Sequence, residues 1–308
     1  MKKTLTTLVI LLLGILLIAL LTQSSVIDEN NSASGFKNSA QTFPAPSPSK
    51  IDFAGEAAPL NLYDVRERLD REMNVNTYWQ SQTLFYIKRA SRWFPVIEPI
   101  LKQNGIPDDF KYVAVAESGL MNSISNMQAV GFWQFVEATG KENNLVINDE
   151  VDERYSVEKS TEAACRFFNN AKIQFGSWTL AAAAFNMGTV ALQSQVDRQQ
   201  EHNFYDLLLN DETFRYVFRI LAIKEIMEHK TAYGFHLDKK DLYAPLQYST
   251  VSVDKPVTDW ATWAHDHNTN YKNLKLLNPW LRQNTLAVEA GKKYAIKILK
   301  KDFTGTPE

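Results

Sequence analysis

Apolar and polar residues along most of this chain repeat with the period of a helix. Val65, Leu69 and Met73 fall at i, i+4 and i+8, the spacing that lines one helical face. From Asn76 to Asn104 aromatics recur at helical spacing (Trp79, Phe85, Tyr86, Trp93), a stripe that reads as core rather than as a sugar platform. Gly105-Ile106-Pro107 ends this segment and starts another helix, with proline near its first turn. That helix carries Tyr112, Val113, Val115 and Ala116, delivers Glu117 at its C-terminal end and breaks at Ser118-Gly119.

The helical pattern continues downstream. Ala138-Thr139-Gly140 reads as a helix terminus, followed by a polar loop through Asn143, Asn144, Asp149 and Glu150. Ser160-Thr161 are expected to cap a helix over 162–175 that Gly176 closes. Ser177 is expected to cap the alanine-rich run Trp178 to Met187, and Asp211 a last long helix over 212–230 that carries Tyr216. Strand signals are nearly absent between 60 and 235, so this part is expected to be mainly α. The pattern then changes: 248–253 and 293–298 alternate like strands, enclosing one helix around Trp260, Trp263 and Ala264 and another around Tyr271, Leu274 and Leu277. The expectation for 245–300 is therefore a small α+β unit of βααβ order.

At the N-terminus, Lys2-Lys3 precede an apolar run from Leu5 to Leu21, interrupted only by Thr6-Thr7 and Gly14. Such a run approaches the ~20 residues that span a bilayer and exceeds the ~7–15 residue core of a secretory signal. The exit lacks an A-x-A site, so residues 1–22 are expected to be an uncleaved membrane anchor, with a cleaved signal as the alternative. Positive charges kept inside place the remainder outside the cytoplasm, in the periplasm of the cell envelope. Residues 23–51, mostly Ser, Asn, Ala and Pro, read as a flexible linker.

Composition narrows the function. A chain of 308 residues with 45% hydrophobic content can bury a large core, and its length suggests about two domains. The net charge of −2 supplies no basic field for nucleic acid, whereas a neutral glycan is compatible. The single cysteine, Cys165, lies in the apolar pattern of Ala163, Ala164, Phe167 and Phe168 and reads as a small buried hydrophobe. One cysteine permits no intrachain disulfide and leaves none just after the leader for a lipid. His265 and His267 point to different faces of a helix and read as surface residues, so no metal site is expected.

The chemistry concentrates in 111–135. An acid at a helix C-terminus faces the negative pole of the dipole, which raises the cost of ionising it. A polar loop (Asn122, Ser123, Ser125, Asn126, Gln128) then leads into Gly131-Phe132-Trp133-Gln134-Phe135. There a glycine permits close backbone approach and aromatics flank one amide. Carboxyl, hydroxyls, amide and aromatic faces are what a sugar-binding cleft requires; the alternative is a solvated glutamate ending an ordinary helix.

The same stretch resembles the catalytic block of lytic transglycosylases with a lysozyme-like SLT domain, of the membrane-bound lytic transglycosylase D type. Glu117-Ser118-Gly119, Ser125 and Gly131-Phe132-Trp133-Gln134-Phe135 carry the likeness. It continues through Val151-Asp152-Glu153-Arg154, Ser160-Thr161, Phe175-Gly176-Ser177-Trp178, Ala182 to Gly188, and Glu212-Thr213 with Tyr216-Val217, over about 95–230. Tyr271, Leu274, Leu277, Asn278 and Pro279 resemble a stretch of LysM-type peptidoglycan-binding modules. The resemblance implies a lysozyme-like catalytic domain over 52–235 and a LysM-like module over 245–300.

What the resemblance implies chemically is cleavage of the MurNAc-GlcNAc β-1,4 bond of peptidoglycan with 1,6-anhydromuramoyl ends, by a monomer that needs no cofactor. Glu117 is the candidate catalytic acid, and Ser118, Ser125, Gly131, Gln134, Phe185, Asn186 and Tyr216 are candidate substrate-binding positions. A hydrolase would set a second carboxylate ~5–9.5 Å from the first. None stands out in the motif block, since Asp152 and Glu153 read as partners of Arg154. Phe185 replaces a tyrosine usual in the family, and Tyr216, which matches another family tyrosine, is expected to substitute for its hydroxyl only in part. Asn126-Met127-Gln128 likewise departs from a common Pro-Ala-Gly. Two alternatives remain open at this point: a lysozyme-like muramidase, and a non-catalytic peptidoglycan-binding protein.

Overall fold

The computed structural model describes residues 43–303 and 305. The expected anchor and most of the linker lie outside the described residues. From Ala45 onward the chain packs as one unit. Packed chain starts earlier than composition suggested, because Ala45 and Ile51 are already buried and the Ala45 amide donates to Asn74 Oδ1 at 2.9 Å.

A two-residue hairpin opens the fold, β1 (Asp52–Phe53) against β2 (Glu56–Ala57). Its turn residues Ala54 and Gly55 have φ of 54° and 80°, and Phe53 plugs the core against Phe110 with ring centroids 4.9 Å apart. Two helices follow, α1 (Tyr63–Tyr78) and α2 (Gln80–Gln103), separated at Trp79. Val65, Leu69 and Met73 are buried as their spacing required. The aromatic stripe is not one core face: Tyr86 is buried, but Trp79 and Phe85 are exposed. Phe85 and Tyr86 are neighbours in α2 and so point about 100° apart, which lets only one of them face the core.

After a 3₁₀ turn at Asp108–Phe110, α3 (Lys111–Ser118) ends on Gly119, whose φ of 60° is the left-handed cap expected there. The α4 helix (Glu137–Glu142) contains Ala138-Thr139-Gly140 rather than ending at them. Gly140 is buried inside it, against the Ile147 and Leu145 side chains.

Helix α5 (Val157–Phe175) begins one turn before the predicted start. Ser156 caps it, while the Ser160 and Thr161 hydroxyls donate back to the Ser156 and Val157 carbonyls at 2.6 Å each. Cys165 is fully buried in α5, and burial pushes its thiol up to about 12, as befits an inert core residue. Ser177 caps α6 (Trp178–Met187) as expected, and its Ala181 to Ala184 run is wholly buried. Small side chains there let neighbouring helices approach closely. Then come α7 (Thr189–Gln199) and α8 (Asp211–Glu228). Asn210, not Asp211, caps α8 by accepting from the Thr213 amide at 2.9 Å.

The C-terminal unit follows the expected order. Strand β3 (Tyr248–Val253) pairs antiparallel with β4 (Tyr294–Leu299), in register from Tyr248 opposite Leu299 to Val253 opposite Tyr294. Helices α9 (Trp260–Asp266) and α10 (Tyr271–Leu277) cover the pair around a second core of Trp260, Leu274, Leu286 and Ile296. Asn278 is fully buried and ties α10 to β4: its Nδ2 donates to the Lys297 carbonyl at 2.8 Å and its Oδ1 accepts from the Lys297 amide at 2.9 Å. His267 stacks on Trp263 at 3.7 Å.

Candidate active site

A cavity of about 610 Å³ opens where α3, the 122–135 loop, α6 and α8 converge. Each wall has a local cause. The left-handed Gly119 stops α3 one turn after Val115, which sets Glu117 at the cavity edge. The loop is drawn tight: Arg154, paired with Asp152 at 2.7 Å, donates from Nη1 to the carbonyls of Gln128 at 3.3 Å and Phe135 at 3.2 Å. Leu120, Gln128 and Gln134 all take positive φ (58°, 58° and 49°), and such strain gathers where a site must be held in one shape.

Of the predicted positions, the structure gathers Glu117, Ser125, Gln134, Phe185, Asn186 and Tyr216 around this one cavity. The Tyr216 hydroxyl donates to Glu117 Oε1 at 2.5 Å. Gln134 Nε2 donates to the Gly131 carbonyl at 2.7 Å and to Ser123 Oγ at 3.2 Å, which fixes its amide plane. Ser125 Oγ accepts from the Ala129 amide at 3.0 Å. Asn186 Oδ1 accepts from the Thr213 hydroxyl at 3.0 Å. Phe185 packs edge-on against Phe135 and Phe167, at 5.5 and 5.0 Å, and so closes the apolar floor.

Two predicted positions lie outside the lining. Ser118, the last residue of α3, is buried, and its hydroxyl donates to the Phe132 carbonyl at 2.9 Å. Gly131 serves the backbone, since a Cβ there would sit 2.0 Å from the Arg154 carbonyl oxygen. Phe132 and Trp133 do not flank a sugar either. Both are buried, and Trp133 Nε1 donates to Thr161 at 2.9 Å.

Sequence reasoning missed two charged residues of the lining, Glu212 and Arg219. They stand four residues before and three after Tyr216, so helical spacing from that tyrosine would have found them. Glu212 is a second carboxylate at this cavity; its side chain is 60% exposed and meets Arg219 at 3.4 Å. Asp152 is occupied by Arg154, and Glu153 Oε2 accepts from the Val146 amide at 2.8 Å. Among the described residues no cluster of three or more His, Cys, Asp or Glu is placed to hold a metal ion.

Burial lifts the Glu117 carboxyl from its ordinary 4.5 to about 7; the Tyr216 hydrogen bond and the Arg219 charge pull it down, and Glu212 pushes it up. The Tyr216 phenol is pushed well above its usual range by burial and by Glu117, so it stays a donor. The arrangement can therefore give up a proton near neutrality and take it back.

Residues 94–208, which supply the acid and most of the cavity wall, match the family model described as the transglycosylase SLT domain. Residues 249–302 match the soluble lytic transglycosylase C-terminal LysM-like domain. The chain is homologous to membrane-bound lytic murein transglycosylase D of Escherichia coli strain K12 and of Escherichia coli O6:H1, at 26% identity over 253 residues in each case. The alignment takes in 79% of this chain and 54% of the relative, so the chain spans about half the length of the curated relatives it matches. Glu212, Tyr216 and Arg219 lie beyond the matched SLT segment, and α8 brings them back to its acid.

Proposed function

We propose that this protein is a peptidoglycan lytic transglycosylase that cleaves the MurNAc-GlcNAc β-1,4 bond and leaves 1,6-anhydromuramoyl ends. The observation that carries the reading is Glu117, with a carboxyl held near neutrality and one oxygen fixed by Tyr216. In the first half-reaction protonated Glu117 gives its proton to the glycosidic oxygen as the bond to the anomeric carbon breaks. In the second, the Glu117 carboxylate takes the proton of the muramoyl 6-hydroxyl while that oxygen bonds the anomeric carbon. One C–O bond is exchanged for another, the acid is regenerated and no water is consumed. Gln134 and Asn186, oriented by their own hydrogen bonds, offer amide groups to the sugar beside the acid.

The LysM-like domain supports glycan as its ligand, and the apolar N-terminal run supports an envelope protein held at the membrane. Among the described residues no helix is long and apolar enough to cross a membrane. Glu212 favours a second reading, a muramidase in which it would activate water. Its exposure and its engagement by Arg219 argue against that role.

Mass analysis of products from purified sacculi treated with the full chain decides between them. Ends lighter by one water than a reducing sugar are expected, with Glu117→Gln releasing nothing while still sedimenting with sacculi. Reducing ends, lost in Glu212→Gln, would overturn the lyase reading. Binding without release by the wild type would leave a wall-binding protein.

A further inference from the structure

Glu72 lies on the inner face of α1 with its side chain 1% exposed. No motif marks it, and it falls outside the matched SLT segment. A carboxylate so buried is expensive to keep unless cations meet it. Its Oε1 accepts from Arg71 and, at 2.9 Å, from Arg215 Nε. Its Oε2 has no hydrogen-bond partner, and Arg219 Nε stands 4.0 Å away.

Arg215 and Arg219 are one turn apart on α8, so a single carboxylate on α1 grips one face of the helix that carries Tyr216. Arg219 is in turn shared. It meets Glu72 on one side and Glu212 on the other, and it lines the cavity with Glu117. A cation in that position opposes the protonated state of Glu117 in proportion to how little of its charge is already neutralised.

We propose that Glu72 is a positioning residue for the acid: by clamping Arg215 and Arg219 it fixes α8 and neutralises the cavity's arginine, so that Glu117 keeps its proton. Tyr216, Arg219 and Glu212 from α8 are the charged and titratable groups that act on Glu117, and from α1 Glu72 meets Arg71, Arg215 and Arg219. Arg89 from α2 donates to the Gly119 carbonyl at 3.1 Å. The 122–135 loop and α6 present no titratable side chain to the cavity lining. The inference deepens the proposed reaction and rests on it for its catalytic consequence alone.

The test is a carboxyl ¹³C NMR titration of the glutamate-labelled full chain, with the Glu117 signal assigned by its loss in Glu117→Gln. Glu72→Gln is expected to lower the Glu117 midpoint by about half a pH unit or more, and Arg219→Gln to raise it. The double variant is expected to titrate with Arg219→Gln, because Glu72 acts through the arginine. An unmoved midpoint in folded Glu72→Gln overturns the proposal, and so does an equal shift in the Arg219→Gln background. If Glu72→Gln does not fold, Arg219→Gln decides by itself, since an unraised midpoint there removes the charge that Glu72 is said to hold in check. In the same variants the alkaline limb of the pH-rate profile is expected to follow the midpoint with KM little changed. The titration needs no substrate, so an inactive protein would leave its result standing, and an unmoved midpoint would leave the proposed reaction untouched.

Discussion

Glu117 holds its proton to about pH 7 because burial disfavours the carboxylate. The unfolded chain releases that proton near 4.5, so between those values the folded state binds the extra proton. This group therefore weakens stability progressively as pH rises through that window and fully above it. The ceiling is about 3 kcal/mol, and cavity water lowers it. Glu117→Gln is accordingly expected to match wild type near pH 4.5 and to exceed it at pH 8, measured by urea unfolding at both values. An equal difference at the two pH values would mean that Glu117 titrates like a solvated glutamate. Tyr216 acts the other way, since its hydroxyl favours the ionised acid. Tyr216→Phe is expected to move the alkaline limb of activity to higher pH and to cut turnover about tenfold, the value of one buried charge-assisted hydrogen bond. The Tyr216 hydroxyl reaches Glu117 on the side where Phe185 offers none, and Tyr216 was legible because a motif fixes residue types one by one. Arg219 belongs to no such motif, and Glu212, although part of the same motif as Tyr216, joins the site only because α8 faces α3.

At the scale of elements, the site depends on how α6 is seated, since Phe185 and Asn186 ride near its C-terminal end. Glu56, from the N-terminal hairpin, meets the first turn of α6 with both oxygens. Oε2 accepts from the Ser177 and Thr179 hydroxyls at 2.6 and 2.7 Å and from the Thr179 amide at 2.8 Å, and Oε1 from the Trp178 amide at 2.7 Å. Burial opposes the charge, but these donors outweigh it and hold the carboxyl down to about 2. The stability it contributes is present above the unfolded value of about 4.5 and is lost as pH falls toward 2. Glu56→Gln is expected to cost about 1–3 kcal/mol at pH 7, with the difference fading below pH 4 in thermal melts. A constant loss down to pH 2 would assign the effect to packing instead. The existence and order of the helices were legible from periodicity except for α7, which no expectation covered, and so were the Gly119, Gly176 and Ser177 boundaries. The starts of α5 and α8 were not, because Ser156 competes with Ser160, and Asn210 with Asp211, for one cap. Side-chain chemistry alone cannot choose between candidates that packing distinguishes. Glu56 was illegible for another reason: its partners lie over 120 residues away in the chain.

For the whole molecule, the βααβ order and its second core were legible in the strand alternation and apolar spacing, but the seam joining it to the helical part was not. Val151 belongs to the C-terminal core although it sits in the polar loop before α5. It bridges to Leu281, with the Arg282 amide on the Glu150 carbonyl at 2.8 Å and the Asp152 amide on the Trp280 carbonyl at 2.9 Å. Glu150 adds its side chain, which accepts from the Thr285 hydroxyl and the Ala287 amide, each at 2.8 Å. The next residues, Asp152 and Arg154, hold the loop that carries Gln134. The LysM-like domain is thereby fastened to the same backbone that shapes the cavity, rather than swinging on a tether. Glu150→Ala with Val151→Ala removes two hydrogen bonds and a buried pair of methyls, about 2–4 kcal/mol of docking. Hydrogen exchange is expected to rise in 146–152 and 281–287 while β3, β4 and α8 keep their protection, the signature of a domain that undocks without unfolding. If exchange also rises across β3 and β4, the C-terminal core needs Val151 to fold at all. Faster exchange in 128–135 would show that the seam also steadies the catalytic loop. Turnover on a short soluble glycan, which needs no wall binding, is then expected to fall alongside turnover on sacculi.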